Sequence, residues 1–219
     1  MRVCAIILLL PLGALSAPAA LEWKIKDLQL KTEIGQEQAV AVYPFRNTGT
    51  RPVRILALDP SCSCVEAEPD REVYAPGATG AIRVDVALAG YVGHLRRSVA
   101  VETDDPDQKF TELTLTLDIP EPVAIMPRFL FWAVGEPAAQ KSLIIAVADP
   151  AKASIGAVES DNPRFAVRLM PGSPGQYRLL VAPADTGRPA EATVRLHAMV
   201  GGREQAYIIY LAVKAPAGS

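Results

Sequence analysis

The sequence predicts an all-β protein: two tandem β-sandwich domains behind a cleaved secretory leader. Three observations carry this reading. Apolar and polar residues alternate with period two along most of the chain, no segment sustains the helical period, and clusters of Gly, Pro, Asn and Asp punctuate the alternation.

The leader comes first. Arg2 supplies a short basic start, Val3 to Leu15 an apolar stretch, and Ser16, Ala17, Ala19 and Ala20 the small residues of a cleavage region. Residues 1–20 therefore read as a signal peptide, cut after Ala17, Ala19 or Ala20. Pro11 and Pro18 interrupt the run, which falls short of the roughly 20 apolar residues that a membrane-spanning helix needs, and no second such run follows. Cys4 lies ahead of the apolar run, too early to be the lipid-modified first residue of a mature chain. The expected location is the periplasm or the extracellular space, with no transmembrane segment after cleavage.

Losing the leader removes Arg2 and Cys4, so 21 of the 22 basic residues face 24 acidic ones, and two of three cysteines remain. This mildly acidic mature chain lacks the clustered Lys and Arg that nucleic acid requires. Its longest basic run is Arg96-Arg97, read as a solvated strand edge.

The strands follow in order. Trp23 to Leu30, Ala39 to Phe45 and Val53 to Leu58 open the first half. Ile82, Val84, Val86 and Leu88 alternate with Arg83, Asp85 and Ala87, and after Leu95 to Glu102 the residues Leu113, Leu115 and Leu117 alternate with Thr114, Thr116 and Asp118. Each such strand buries one face. The second half offers Leu143 to Ala148, Phe165 to Leu169, Tyr177 to Val181, Ala192 to Ala198 and Ala206 to Val213. Turns fall at Asn47-Thr48-Gly49, Asp59-Pro60, Pro76-Gly77, Asp104-Asp105-Pro106-Asp107, Asp149-Pro150, Pro171-Gly172 and Gly201-Gly202.

Between the halves, Asp118 to Pro127 carries prolines at 120, 122 and 127 and breaks the ladder, because proline has no backbone donor. The domain boundary is placed there, giving domains 21–119 and 123–215. One larger sandwich with a Pro-rich edge loop is the alternative. The second half lacks any cysteine and any counterpart of Asn47-Thr48-Gly49, so repetition, if present, is structural only.

The first half carries a recognisable set of residues: Tyr43, Phe45, Asn47 and Gly49; Pro52 to Ile55; Ser61, Cys62 and Cys64; Pro76-Gly77 with Gly80; Gly93; and Thr103-Asp104-Asp105-Pro106. In these, residues 25–118 resemble the bacterial domain of unknown function 1573, whose pattern pairs an aromatic-x-Phe-x-Asn-x-Gly strand end with Ser-Cys-Gly-Cys-Thr. The resemblance implies an exported immunoglobulin-like sandwich of the hydin and major-sperm-protein type and no established activity. Ser63 stands where the family usually has Gly, and Val65 where it usually has Thr. Losing Gly makes a left-handed backbone at 63 less comfortable and weakens the case for a tight turn between the thiols.

Cys62 and Cys64 are the candidate site. On an extended strand their Cα atoms lie about 6.6 Å apart on one face, at the edge of the roughly 4.4–6.8 Å that a disulfide tolerates. Export favours paired thiols. Three readings stay open: a local disulfide, two unpaired thiols, or a metal or redox pair. Two thiolates suit a soft ion such as Cu(I), which usually recruits a further ligand, and His94 and His197 are the available imidazoles. Both histidines read as solvated surface residues. Asp104 to Asp107 reads as a hairpin turn, since it lacks the Gly-centred ligand loop of a calcium motif. Phe129, Phe131 and Trp132 read as core or interdomain anchors rather than a sugar platform.

No catalytic residue and no cofactor is expected, and the chain reads as a non-enzyme. The function expected is an exported Ig-like scaffold that binds another envelope or surface protein, by adding a strand to an exposed sheet edge. The alternative is a thiol-redox or copper-handling module using Cys62 and Cys64.

Overall fold

The computed structural model describes residues 21–88 and 90–215. The expected leader, with Cys4 and the candidate cleavage sites, lies outside the described residues. Among the described residues the regular structure is all strand, and no helix is long and apolar enough to cross a membrane.

Nine strands form the first half: β1 (Leu21–Trp23), β2 (Asp27–Lys31), β3 (Gln38–Asn47), β4 (Val53–Pro60), β5 (Val65–Pro69), β6 (Val73–Tyr74), β7 (Thr79–Ala87), β8 (Gly93–Thr103) and β9 (Phe110–Ile119). Eight form the second: β10 (Val123–Met126), β11 (Phe129–Ala133), β12 (Lys141–Val147), β13 (Ala153–Ser160), β14 (Phe165–Pro171), β15 (Gln176–Pro183), β16 (Ala190–Val200) and β17 (Arg203–Lys214).

Strand order defines the fold. The first half makes one sheet in the order β1-β3-β7-β5 and another in the order β2-β9-β8-β4-β6; the second makes β10-β12-β15-β14 and β11-β17-β16-β13. With β6 set aside, the two orders are the same. Each is the immunoglobulin arrangement, in which the first strand splits between both sheets and the penultimate strand lies between the last strand and β4 or its counterpart β13. The chain is therefore two tandem Ig-like β-sandwiches. Hydrogen-bonded sheets change over across Pro120–Pro122. Among the described residues the chain also falls into two compact units: one holds residues 21–28, Val40–Asp85 and Arg97–Leu115, the other Gln29–Ala39, 86–88, 90–96 and 116–215.

Period-two alternation explains both interiors. Tyr43 and Phe45 on β3, Val84 on β7, Val99 and Val101 on β8, and Leu113 and Leu115 on β9 are buried in the first. Trp132, Leu143, Ile145, Leu179, Val194, Leu196 and Leu211 are buried in the second.

Asn47 explains the strand-end motif of the first half. Its fully buried amide donates through Nδ2 to Arg51 O and Tyr74 O, both at 2.8 Å, and accepts at Oδ1 from Gly49 N at 3.0 Å. Its main chain bonds Ala78 O and Gly77 N at 2.9 and 2.8 Å. The side chain thus ties the end of β3 to the loop that follows it and to β6, and nothing polar on it is left over. Gly80 is required for a different reason: a Cβ there would stand 2.1 Å from Tyr74 Cε1 and 2.8 Å from Phe45 Cζ. The Tyr74 hydroxyl donates to Asp70 Oδ1 at 2.7 Å. Desolvation opposes charge on Asp70, but bonds from Tyr74 and the Ala81 N–H and the nearby Arg71 outweigh it and hold the carboxyl below its ordinary value.

Several strands differ from the sequence expectation. Trp23 to Leu30 is two strands, β1 and β2, broken at Lys24–Lys26, because the chain passes there from one sheet to the other. β5, β6, β10, β11 and β13 carried no usable alternation: all but β13 are five residues or shorter, and β13 has a register shift between Ile155 and Val158. The Met126–Pro127 peptide is cis, between β10 and β11.

Candidate functional site

The cysteines sit in the connection from β4 to β5, and both ends of that connection are fastened. Ser61 N donates to Ser98 O at 2.9 Å, Ser98 N returns a bond to Ser61 Oγ at 3.1 Å, and Val65 is buried at the start of β5. Between these anchors Val65 N bonds Cys62 O at 3.2 Å, closing a turn. The turn brings the Cys62 and Cys64 Cα atoms to 5.3 Å, and their sulfurs are bonded. An extended strand would have held them about 6.6 Å apart. Ser63 does not impede the turn, since among the described residues only glycines have positive φ. Both cysteines are half-buried and both flanking serines exposed.

Arg97 completes the site. Its Nε–H donates to Cys64 Sγ at 3.2 Å. The sequence reading placed Arg96-Arg97 on a solvated strand edge, and the structure corrects this: β8 lies between β9 and β4, and Arg97 is half-buried over the cysteine loop. No periodic signal could have found the contact, because 33 residues separate the partners.

The histidines make other bonds. His94 belongs to β8, is largely exposed, and its Nδ1 lies 3.6 Å from Asp118 Oδ1. His197 is less solvated than expected: its Nδ1 lies 2.8 Å from Glu204 Oε1, and Nε2 is buried without a hydrogen-bond partner. Among the described residues no group of three or more His, Cys, Asp or Glu is placed to hold a metal ion. Asp104 to Asp107 forms the β8–β9 turn, where Asp104 Oδ1 accepts from Arg54 N at 2.7 Å and Asp105 Oδ1 from Asp107 N at 3.2 Å.

A second feature lies on the second sandwich. Of the aromatic trio, Trp132 alone is a core residue, its indole N–H bonding Ala139 O at 2.8 Å. Phe129 and Phe131 overturn the anchoring expectation: they are 41% and 55% exposed, stacked 5.7 Å apart, and Tyr210, directly across from Phe129, is 56% exposed. Lys214 and Lys141 ammonium groups stand 5.6 and 5.4 Å from the Phe129 and Phe131 ring centres.

Residues 21–119 match the family model described as "Protein of unknown function (DUF1573)", which bears out the resemblance of the first half. No curated protein matches the chain. Among solved structures, it is similar to a protein of unknown function from Porphyromonas gingivalis W83, at 11% identity and TM-score 0.35, over 90% of this chain and 100% of that one. It is similar to the YadV chaperone at 14% identity and TM-score 0.36, over 88% of this chain and 100% of that one. The ASH/PapD-like domain 7 of human CEP192 aligns at 14% identity and TM-score 0.39, over 55% of this chain and 99% of that domain. The Ig-like assignment stands on strand order.

Proposed function

We propose that the chain is an exported Ig-like module of the bacterial cell envelope, with domains 21–119 and 123–215, that works without catalysis by binding another envelope or surface protein. The observation that carries this is the exposed aromatic face of Phe129, Phe131 and Tyr210 on β11 and β17. Aromatic side chains held in water on a rigid sheet are characteristic of recognition surfaces, where they contribute large contact area at small entropic cost.

Recognition falls on this face rather than on the neighbouring β11 edge. Lys141 Nζ donates to Phe131 O at 2.6 Å, so a charged side chain occupies a carbonyl that an added strand would need.

The test places a photo-cross-linking residue at 129, 131 or 210 in the native bacterium. One envelope protein cross-linked from these positions, and not from 63 or 83, is expected; equal adducts from all positions would defeat the reading. Sequencing the N-terminus of the protein recovered outside the cytoplasm checks export. A start at residue 18, 20 or 21 is expected, and a chain retaining Met1 inside the cell would overturn it.

A further inference from the structure

We propose that the Cys62–Cys64 disulfide is an exchangeable oxidant of thiols on other exported chains, with Cys62 the sulfur attacked and Cys64 the leaving thiolate, stabilised by Arg97. This activity is independent of the aromatic face and of what binds there.

Three features set this disulfide apart from a structural staple. It closes a very small loop, joining residues two apart, so it constrains the unfolded chain little. The loop is already held at both ends by the Ser61–Ser98 bonds and by buried Val65, so the fold has little need of a covalent link there. Both cysteines are half-buried rather than sealed in the core, and the serines beside them, Ser61 and Ser63, are exposed.

Arg97 makes the two sulfurs unequal. Its Nε–H points at Cys64 Sγ from 3.2 Å, where a guanidinium favours negative charge. In thiol–disulfide exchange the attacking thiolate bonds one sulfur in line while the other departs with the electron pair, and the better-stabilised thiolate leaves faster. A partner thiolate therefore bonds Cys62 Sγ, the Cys62–Cys64 bond breaks, and Cys64 departs as a thiolate against Arg97. A second thiol of the partner then attacks the mixed disulfide and displaces Cys62, which takes up a proton. Two electrons pass from the partner dithiol to this chain, one partner disulfide forms, and the reaction is stoichiometric as written.

The experiment uses the oxidised, exported full chain at pH 7. Incubation with glutathione, acid quenching and fragment-ion mapping should find the adduct on Cys62; an adduct on Cys64, or equally on both, overturns the polarity. Reduced, unfolded ribonuclease A should be oxidised, with one disulfide formed per chain. Failure to oxidise it, or exchange with glutathione alone, overturns the proposed substrate class. Reduction by dithiothreitol should slow about threefold in Arg97→Gln, as expected from a poorer leaving group, and return to the original rate in Arg97→Lys. Circular dichroism confirms that both variants are folded. An Arg97→Gln rate equal to that of the parent chain would sink the role of Arg97, and should that variant fail to fold, the glutathione mapping on the parent chain decides.

Discussion

The two sandwiches have the same strand order and different interiors. In the first, polar groups are buried where segments meet: the Asn47 side chain bonds the loop after β3 and β6, and the Tyr43 hydroxyl crosses the core to donate to Thr114 O at 2.7 Å. In the second, the largest buried side chain is Trp132, packed 6.0 Å from the Phe165 ring. Alternating apolar strands suffice for the architecture, while the means of fastening it are interchangeable. The first is held by directional bonds that cannot be left unmade, the second by volume.

This contrast can be tested with one intrinsic probe in each sandwich, since the only tryptophans are Trp23 and Trp132. The largest effect is expected from Trp132→Ala, which empties a core site and should cost the second sandwich about 3–5 kcal/mol. Hydrogen exchange across β12, β15 and β16 reads this loss, and less than about 1 kcal/mol would show that volume is not what holds this half.

Next is Asn47→Ala, which strands two carbonyls and one N–H in the first sandwich and should cost about 2–4 kcal/mol. Urea unfolding followed by Trp23 fluorescence measures it. A cost near that of a surface substitution would erase the distinction between the halves.

The serine double variant, Cys62→Ser with Cys64→Ser, should lower stability by about 1.5 kcal/mol or less, because so small a loop removes little unfolded-state entropy. A loss several times larger, by the same fluorescence assay, would make the disulfide a staple and count against its exchange role.

Tyr43→Phe should cost about 1 kcal/mol at neutral pH and change the alkaline limb. Burial, then the nearby Asp27 carboxylate, push the Tyr43 phenol up to about 12. The unfolded phenol ionises near its ordinary value of about 10. The neutral form is therefore favoured by folding, and this stability is present below pH 10 and lost as pH rises from 10 to about 12. Urea midpoints at pH 9 and pH 11 should converge between parent and variant; parallel curves would show that Tyr43 does not titrate as described.

The smallest effect belongs to Phe131→Ala. An exposed ring should change stability by no more than about 0.5 kcal/mol while abolishing the cross-link. A larger destabilisation would return Phe131 to the role of an anchor.

Much of this organisation was legible in the chain before folding. The long strands β3, β7, β8, β9, β12, β15, β16 and β17 were readable because each spans seven or more residues, room for several repeats of the period. Short strands were not, since two to five residues hold too few repeats of any period. Phe129 and Phe131 were legible as a pair of large aromatics, but sequence does not say which side of the strand meets water. Trp132, one residue on, took the inward direction.

The cysteine loop divides in the same way. Spacing by itself set a question about two nearby thiols, because it is a property of contiguous residues. Tertiary structure decided that the backbone turns at Ser63 and that Arg97 stands over Cys64. Alternation is a local property, encoded at positions two apart, whereas register between strands and the side chains it brings together depend on how distant segments pair. A guanidinium 33 residues from its sulfur is placed only when β8 pairs with β4.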